Sequence, residues 1–451
     1  MRTSKTATRP SGLSRAVHLA INERKIVDLA PSPNNPRVHS PRQIQQIARS
    51  IATFGFNAPV LIDRHDRLIA GHGRVEAAKS LGLDTVPTIR LDHLSPAEAK
   101  AFLLADNRLA EQATWDDGLL AVNFAELLSE ELTFDLTVTG WEIPEIDGFA
   151  IGDAATSAVN DDEAPVESGP AVTQPGDLWI LGEHRVLCGD ALDPASYERL
   201  LQGEKASIAV ADFPYNVPIA GHVGGNGRIQ HREFAMASGE MSDAEFRAFL
   251  SQACALMVRH SVDGAIHYSF MDWRSSRILQ EAADPHYGAL KNIVVWQKDS
   301  AGLGSFYRSQ HEFIFVYKVG KAPHQNNIQL GKYGRNRSNV WVYPGANSFA
   351  RTGEDGNLLA YHPTSKPVAL ISDALLDASS PRDIVLDPFA GAGATLIAAE
   401  RTGRVARTIE IDNLYVDTAI RRWMRIAKKP AIHATKDCTF DELEEQGGDH
   451  G

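Results

Sequence analysis

The chain has 451 residues, with 45 Lys and Arg against 57 Asp and Glu, a formal net charge of −12, and 43% hydrophobic and 23% charged residues. That length exceeds one ordinary domain, and that composition excludes a disordered or fibrous protein. No run approaches the ~18 apolar residues of a spanning helix, which excludes an integral membrane protein, and the acid excess argues at first sight against a nucleic-acid partner.

The first fifteen residues, MRTSKTATRPSGLSR, carry four basic residues with no apolar run behind them. They are expected as a flexible basic arm and not a secretory signal. A first folded block is expected over residues 16–149. It opens with a strand over Glu23–Leu29 and a Pro/Asn-rich turn, then a helix with Ser40 as N-cap, Pro41 at its first position and Ile44, Ile47 and Ile51 on one face. A strand (Pro59–Asp63), a polar turn at His65–Asp66, the run LIAGHGR, a helix (Val75–Leu81) and a strand (Thr85–Leu91) follow. Ser95 and Glu98 have the spacing of a capping box. The rest of the block reads as a helical extension.

Residues 150–174 hold five acids and no Lys or Arg among small, Pro and Gly residues, the composition of a linker. The segment 437–451 holds six acids and no Lys or Arg and is expected as a solvated tail. Linker and tail carry −5 and −6, or −11 of the chain's −12, so overall acidity describes the expected edges of the domains and leaves a binding surface unspecified. Cys188, Cys254 and Cys438 are widely spaced; they suggest no disulfide framework and no metal site, and a reducing cytoplasm suits them.

The second block, 175–436, alternates strands and helices, which implies an α/β fold with a mostly parallel sheet covered on both faces. Ile208–Ala211 is a short apolar strand stopping at Asp212, and Asp243–Arg259 a helix with Phe246, Phe249, Leu250, Cys254 and Met257 on its apolar face. Gly264–Phe270, Asn292–Gln297 and Glu312–Tyr317 are strand-like. Ile384–Leu386 is a strand ending at Asp387, Ala394–Thr402 a helix, and Ala406–Ile411 a strand ending in acids.

Two segments carry chemistry. In IVLDPFAGAGATLIAAE a buried strand ends at Asp387, a turn with Gly391 and Gly393 lets a ligand approach the backbone, and about twenty residues on Glu410 and Asp412 end the next strand. This suits an adenosine ligand at the carboxyl edge of a doubly wound sheet. The spacing G-x-G-x-x-G and the Lys-Ser/Thr of a P-loop are absent, which disfavours NAD and ATP. In ASIAVADFPYNVP a strand delivers Asp212 into a Pro-restricted turn with Tyr215. A carboxylate beside a main-chain carbonyl could orient an amine nucleophile, and the aromatic ring could stack on an extruded base.

The second block resembles the amino-directed DNA methyltransferases, which act on N6 of adenine or N4 of cytosine with S-adenosylmethionine. DFPYN stands where that family has D-P-P-Y, and DPFAGAGAT where it has D-P-F-x-G-S-G-T; HPTSKP and LCGDALD match two further elements. The catalytic motif precedes the cofactor motif, the permuted order of the beta-type members. The resemblance implies a Rossmann-like methyltransferase fold, with Asp212, Phe213, Pro214 and Tyr215 at the target base. It implies Asp387, Phe389, Gly391 and Gly393 around the cofactor, Glu410 on its ribose, Asp190 near its adenine, and Thr364 and Lys366 near its methionine end. Phe213 replaces the family's first Pro. Asp at 212 tilts the target toward adenine; N4 of cytosine, and a DNA-binding protein whose methylase fold no longer turns over, stay open as alternatives.

Residues 288–352 hold nine Lys/Arg against Asp299 and Glu312, a local charge of +7, and are a candidate recognition region for double-stranded DNA, with Lys332, Arg335 and Arg337 in a polar loop. In the first block, NNPRVHS, SIATFGFNAPVLID and LIAGHGRVEAAKSLGLDTVPTI resemble the nucleotide-binding N-terminal domain of the ParB/sulfiredoxin superfamily, a small α/β domain. Position 71 lacks the cysteine of sulfiredoxin chemistry. The resemblance implies a pocket near Arg37, Gly71, His72, Gly73 and Arg74 for CTP or another nucleotide, where the family's G-E-R-R reads Gly-His-Gly-Arg. The expected partner is DNA, with a homodimer as the alternative to a monomer and no membrane.

Overall fold

A computed structural model describes residues 19–33, 35–130, 132–150, 171–216, 240–301, 306–332, 335–345 and 366–448. They fall into two compact units, Met1–Glu142 and Ile143–Gly451.

The first unit is built on a four-stranded sheet in the order β1 (Ile21–Lys25), β4 (Thr85–Arg90), β2 (Val60–Ile62), β3 (Leu68–Ala70), with β2 and β4 parallel. The strand expected over Glu23–Leu29 ends early. Lys25 pairs with Thr85, the first residue of β4, so the ladder runs out and Ile26–Asp28 turn as a 3-10 helix. Helix α1 (Pro41–Phe54) starts as expected, with the Ser40 side chain accepting from the Gln43 N–H and Pro41 in the first turn. After α2 (His72–Ser80), α3 (Pro96–Glu111) opens with both halves of the Ser95–Glu98 capping box, and α4 (Asp117–Ser129) follows. Val60, Ile62, Leu68, Val75, Ala78 and Val86 fill the core.

The second unit carries a ten-stranded sheet. Its centre is β8 (Ser261–Met271), β7 (Ala206–Asp212), β12 (Ile384–Asp387), β13 (Val405–Glu410) and β6 (His184–Cys188), each pairing parallel with the next. Antiparallel β10 (His311–Lys318) and β9 (Ala289–Gln297) extend one side, with β11 (Val340–Val342) beyond. On the other side lie β5 (Leu178–Leu181) and β14 (Ile432–His433). Helices α6 (Pro194–Leu201), α7 (Asp243–Arg259) and α8 (Ser276–Ala283) contribute to the core on one face. Helices α9 (Val368–Ala378), α10 (Ala394–Thr402) and α11 (Asn413–Ala427) contribute to the core on the other. From β7 the chain proceeds through α7 to β8 on one side, and from β12 through α10 to β13 on the other. The crevice at the carboxyl ends of β7 and β12 is therefore a topological switch point, where open α/β sheets take ligands.

Two edges differ from expectation. The tail expected to be solvated from Asp437 folds over Phe440–Gly448 as helix α12. Phe440 is fully buried against Trp179, with ring centroids 5.3 Å apart, and Glu444 pairs with Arg421. One aromatic anchor among the acids suffices to dock the segment. Helix α5 (Ile143–Ala150), expected in the extension of the first block, belongs to the second unit. Its Asp147 meets the buried Arg404 in a bidentate pair, Oδ1 to Nη1 at 2.8 Å and Oδ2 to Nη2 at 2.9 Å.

Candidate active site and its relatives

Three neighbouring parallel strands end in acids at one edge: Asp212 on β7, Asp387 on β12 and Glu410 on β13. The turn after β12 is tied to two of them. Asp387 Oδ1 accepts from the Phe389 N–H at 2.9 Å, and Glu410 accepts from the Gly391 N–H at 2.8 Å and the Asp412 N–H at 2.9 Å. Burial pushes both the Asp387 and Glu410 carboxyls up to about 7, against these hydrogen bonds. The two turn glycines have different reasons to be glycine. Both have positive φ, but a Cβ on Gly391 would meet nothing within 4 Å, whereas one on Gly393 would stand 2.6 Å from the Ala419 Cβ. Gly391 leaves the cleft wall open, and Gly393 lets α10 pack on α11. A cleft open to solvent is lined by Asp212, Lys366, Asp387, Phe389, Gly391 and Thr395 among others. Asp190 lies just past β6, beside the end of β13, and its exposed carboxylate accepts from the Leu192 N–H at 2.8 Å. Thr364 lies outside the described residues.

On the wall of this cleft the DFPYN segment is tied into a charge network. The Lys366 ammonium, at the start of α9, sits 2.7 Å from Asp212 Oδ2 and 3.4 Å from Glu312 Oε2. The Tyr215 hydroxyl lies 3.2 Å from Asp212 Oδ1 and 2.9 Å from Glu312 Oε2, and Lys298 holds the other Glu312 oxygen at 2.5 Å. Burial raises the Asp212 carboxyl and Lys366 opposes that rise. Burial also works against ionised Glu312, yet Lys366 and Lys298 outweigh it and bring Glu312 down to about 2. The Phe213 ring is buried, 5.3 Å from the Phe389 ring, so the bulk that replaces the family's proline is absorbed by the core. Pro214 is half-buried. Glu312 is a site residue the sequence reading missed; its signal is a lone acid next to the apolar run Phe313–Val316 in the strand HEFIFVYK.

Of the candidate DNA contacts, Lys332 is exposed at the end of a 3-10 turn. Arg335 and Arg337 are turned inward. Arg335 Nη2 lies 2.8 Å from both Asp373 Oδ1 and Asp377 Oδ1, and Arg337 lies 2.9 Å from Asp373 Oδ2 and 2.8 Å from Asp377 Oδ2. The Arg337 guanidinium also covers Trp341 at 4.4 Å. These cations brace the segment before β11 against α9, the helix that Lys366 precedes.

In the first unit, Gly71 has φ +95° and a Cβ there would stand 2.3 Å from Val60 Cγ1. His72 Nε2 accepts from the Ser32 N–H at 3.3 Å, and burial, then His39, lowers its pKa. At Gly73 a Cβ would lie 3.1 Å from His39 Cε1. Arg74 donates to the Ala58 and Pro59 carbonyls, and Arg37 to Asn107 Oδ1 at 2.7 Å. The structure thus brings His72 and Gly73 to His39, while Arg37 and Arg74 are held on other partners.

Family models match three segments: a ParB N-terminal domain at residues 14–107, a ParB-methyltransferase HTH domain at 118–175, and a DNA methylase of the N6/N4 type at 206–421. The chain belongs with the proteins that join a ParB N-terminal domain to an N6/N4-type DNA methylase domain. The HTH model spans both the helical extension and the stretch expected as a linker. The ParB-like domain is similar to the ParB-like nuclease domain-containing protein YnaK of Escherichia coli K12, at 47% identity over 77 residues, 17% of this chain and 88% of YnaK. The methylase domain is similar to the DNA adenine methyltransferase YhdJ of the same organism, at 31% identity over 158 residues, 30% of this chain and 52% of YhdJ. The chain thus spans about half of that relative's length. Among solved structures, an M1.HpyAVI–SAM complex aligns at 18% identity and TM-score 0.37, covering 52% of this chain and 97% of that one.

Proposed function

We propose that the methylase domain transfers a methyl group from S-adenosylmethionine to the exocyclic amine of a base flipped out of double-stranded DNA, with N6 of adenine as the favoured target. The observation that carries this reading is the position of Asp212. Its carboxylate ends β7 at the switch point, a quarter exposed, on the wall of the same cleft as Asp387 and Gly391. The residues present fit the cofactor: the open wall at Gly391 admits a ligand against the backbone, and two carboxylates stand at the strand ends. Glu410 would hold ribose hydroxyls, with Asp387, Phe389 and Gly391 beside it and Asp190 toward the adenine. When bound, the cofactor supplies an electrophilic sulfonium methyl.

The protein's part is orientation and electrostatics. Asp212 and the Phe213 carbonyl accept the amine N–H groups, which aims the nitrogen lone pair and meets the positive charge that develops on it. That nitrogen would receive the methyl carbon with loss of the carbon–sulfur bond, and the amine would give up one proton. The Tyr215 ring offers the flipped base a stacking face. Exposed Phe306 and Tyr307, at 84% and 86%, lie in the connection between β9 and β10, whose ends hold Lys298 and Glu312. They add an aromatic surface for nucleic acid. Aspartate at 212 and the likeness to an adenine methyltransferase favour adenine over N4 of cytosine. The buried Phe213 ring favours catalysis over a methylase fold that has lost turnover. In the ParB-like domain, the Ala58 and Pro59 carbonyls occupy Arg74, which weighs against that cation as a phosphate ligand in a CTP pocket.

The test is tritiated-methyl transfer to genomic DNA, with the product nucleosides identified. Asp212→Ala should abolish transfer while cofactor binding persists. Undiminished transfer by that variant would sink the assignment, and N4-methylcytosine as product would move the target base.

A further inference from the structure

Asp212 has a task in methyl transfer that its partners in this structure obstruct. Its Oδ2 is held by the Lys366 ammonium and its Oδ1 lies within reach of the Tyr215 hydroxyl. A carboxylate that must accept an amine N–H and face a growing positive charge is poorly served by an ammonium at contact distance. Lys366 has little access to water, its side chain being 5% exposed. A second anion is already beside it: Glu312 Oε2 lies 3.4 Å from the same nitrogen.

The surroundings suit a short transfer between these two anions. The ammonium lies 5.5, 5.4 and 5.9 Å from the ring centroids of Tyr215, Phe270 and Trp296, and aromatic faces stabilise a cation without fixing it to one point. The Tyr215 hydroxyl has one proton and lies within hydrogen-bond distance of both carboxylates, so it serves one at a time. Lys298 keeps Glu312 anionic from the far side. Asp212 and Glu312 against Lys366 and Lys298 sum to zero charge, before and after such a transfer.

We propose that Glu312 is a positioning residue for the reaction, taking over the Lys366 ammonium and the Tyr215 hydroxyl when the target base enters and so freeing Asp212 to accept the amine. This rests on the methyl-transfer reading above. The experiment measures single-turnover methyl transfer at saturating cofactor on the full chain, with cofactor and DNA affinities determined separately. Glu312→Gln removes the second anion and leaves Lys366 locked on Asp212. Its transfer rate should fall roughly 30-fold with both affinities nearly unchanged. Adding Lys366→Met to Glu312→Gln removes the lock as well, and the double variant should recover roughly tenfold of that loss. A Glu312 that only supports the fold would give a double variant no faster than the single one. Should Glu312→Gln fold poorly, Glu312→Asp, which draws the anion back by one methylene, should likewise be slower at unchanged cofactor affinity. A wild-type rate in Glu312→Gln, or a double variant without recovery, overturns the proposal while active wild-type protein leaves the methyl-transfer reading standing. Wild-type protein that transfers no methyl overturns that reading and this proposal together.

Discussion

Asp147→Ala tests whether helix α5 is part of the methylase fold. The Arg404 side chain is wholly buried and Asp147 is 6% exposed. Besides its two bonds to Asp147, Arg404 donates to Ser379 Oγ at 3.1 Å, the Ser379 carbonyl at 2.8 Å and the Thr402 carbonyl at 2.6 Å. Removing the aspartate leaves a buried guanidinium with neutral acceptors alone, and breaking a buried pair from one side costs about 3–5 kcal/mol. At roughly 2 °C per kcal/mol for a unit of this size, Tm should fall by ~6–10 °C. Differential scanning calorimetry or urea unfolding of the full chain would read it. The control is Asp147→Leu with Arg404→Met, which removes both charges and should restore most of the loss. A methylase fragment beginning at residue 171 should behave like Asp147→Ala, and one beginning at 143 like the intact unit. If Asp147→Ala melts within a degree of wild type, the docking of α5 through this pair is refuted.

Cofactor affinity should depend on pH. Asp387 and Glu410 are raised to about 7, so their native-state cost is absent below their unfolded values near 4 and appears as pH rises through 7. A carboxylate accepts hydroxyls and faces a sulfonium better than a carboxylic acid, so affinity should rise about fivefold to tenfold between pH 6 and 8. Glu410→Gln should flatten the curve in calorimetric titrations, and a pH-independent wild-type Kd would contradict the assignment. The turn glycines should separate: Gly393→Ala, crowded by Ala419, should lose about 1–3 kcal/mol of stability. Gly391→Ala should cost no more than about 1–2 kcal/mol of backbone strain while weakening cofactor binding, and equal effects on stability and affinity in both variants would argue against the division.

What could be read from the sequence is local. Asp212 and Asp387 each end a short, mostly apolar run, and Glu410 ends the next parallel strand, VARTIE, so strand, strand end and site position are legible within about ten residues. So are the caps at Ser40 and Ser95, where the chemistry spans a single turn. Glu312 was not legible, because its role depends on β10 lying antiparallel to β8, which sets it 97 residues from Tyr215 in sequence and 2.9 Å away in space. The docking of α5 depends on Arg404, 257 residues on, and the tail was misread because one buried Phe440 outweighs its acids.

The same limit governs charge. Residues 288–352 count +7 when summed along the chain, yet Arg335 and Arg337 face Asp373 and Asp377, carboxylates outside that window. Lys298 faces Glu312 within it. A window sum treats each cation as free toward solvent unless its partner falls inside the window, so it overstates the field available to DNA. Lys291, Lys321 and Lys332 are exposed there. The inward cations do different work: Arg335 and Arg337 fix α9 behind Lys366, and Lys298 keeps Glu312 anionic. On the proposed function, Lys298, Arg335 and Arg337 act through the geometry around Asp212, so neutralising Lys332 should change salt-dependent affinity where neutralising Arg337 should change stability and rate.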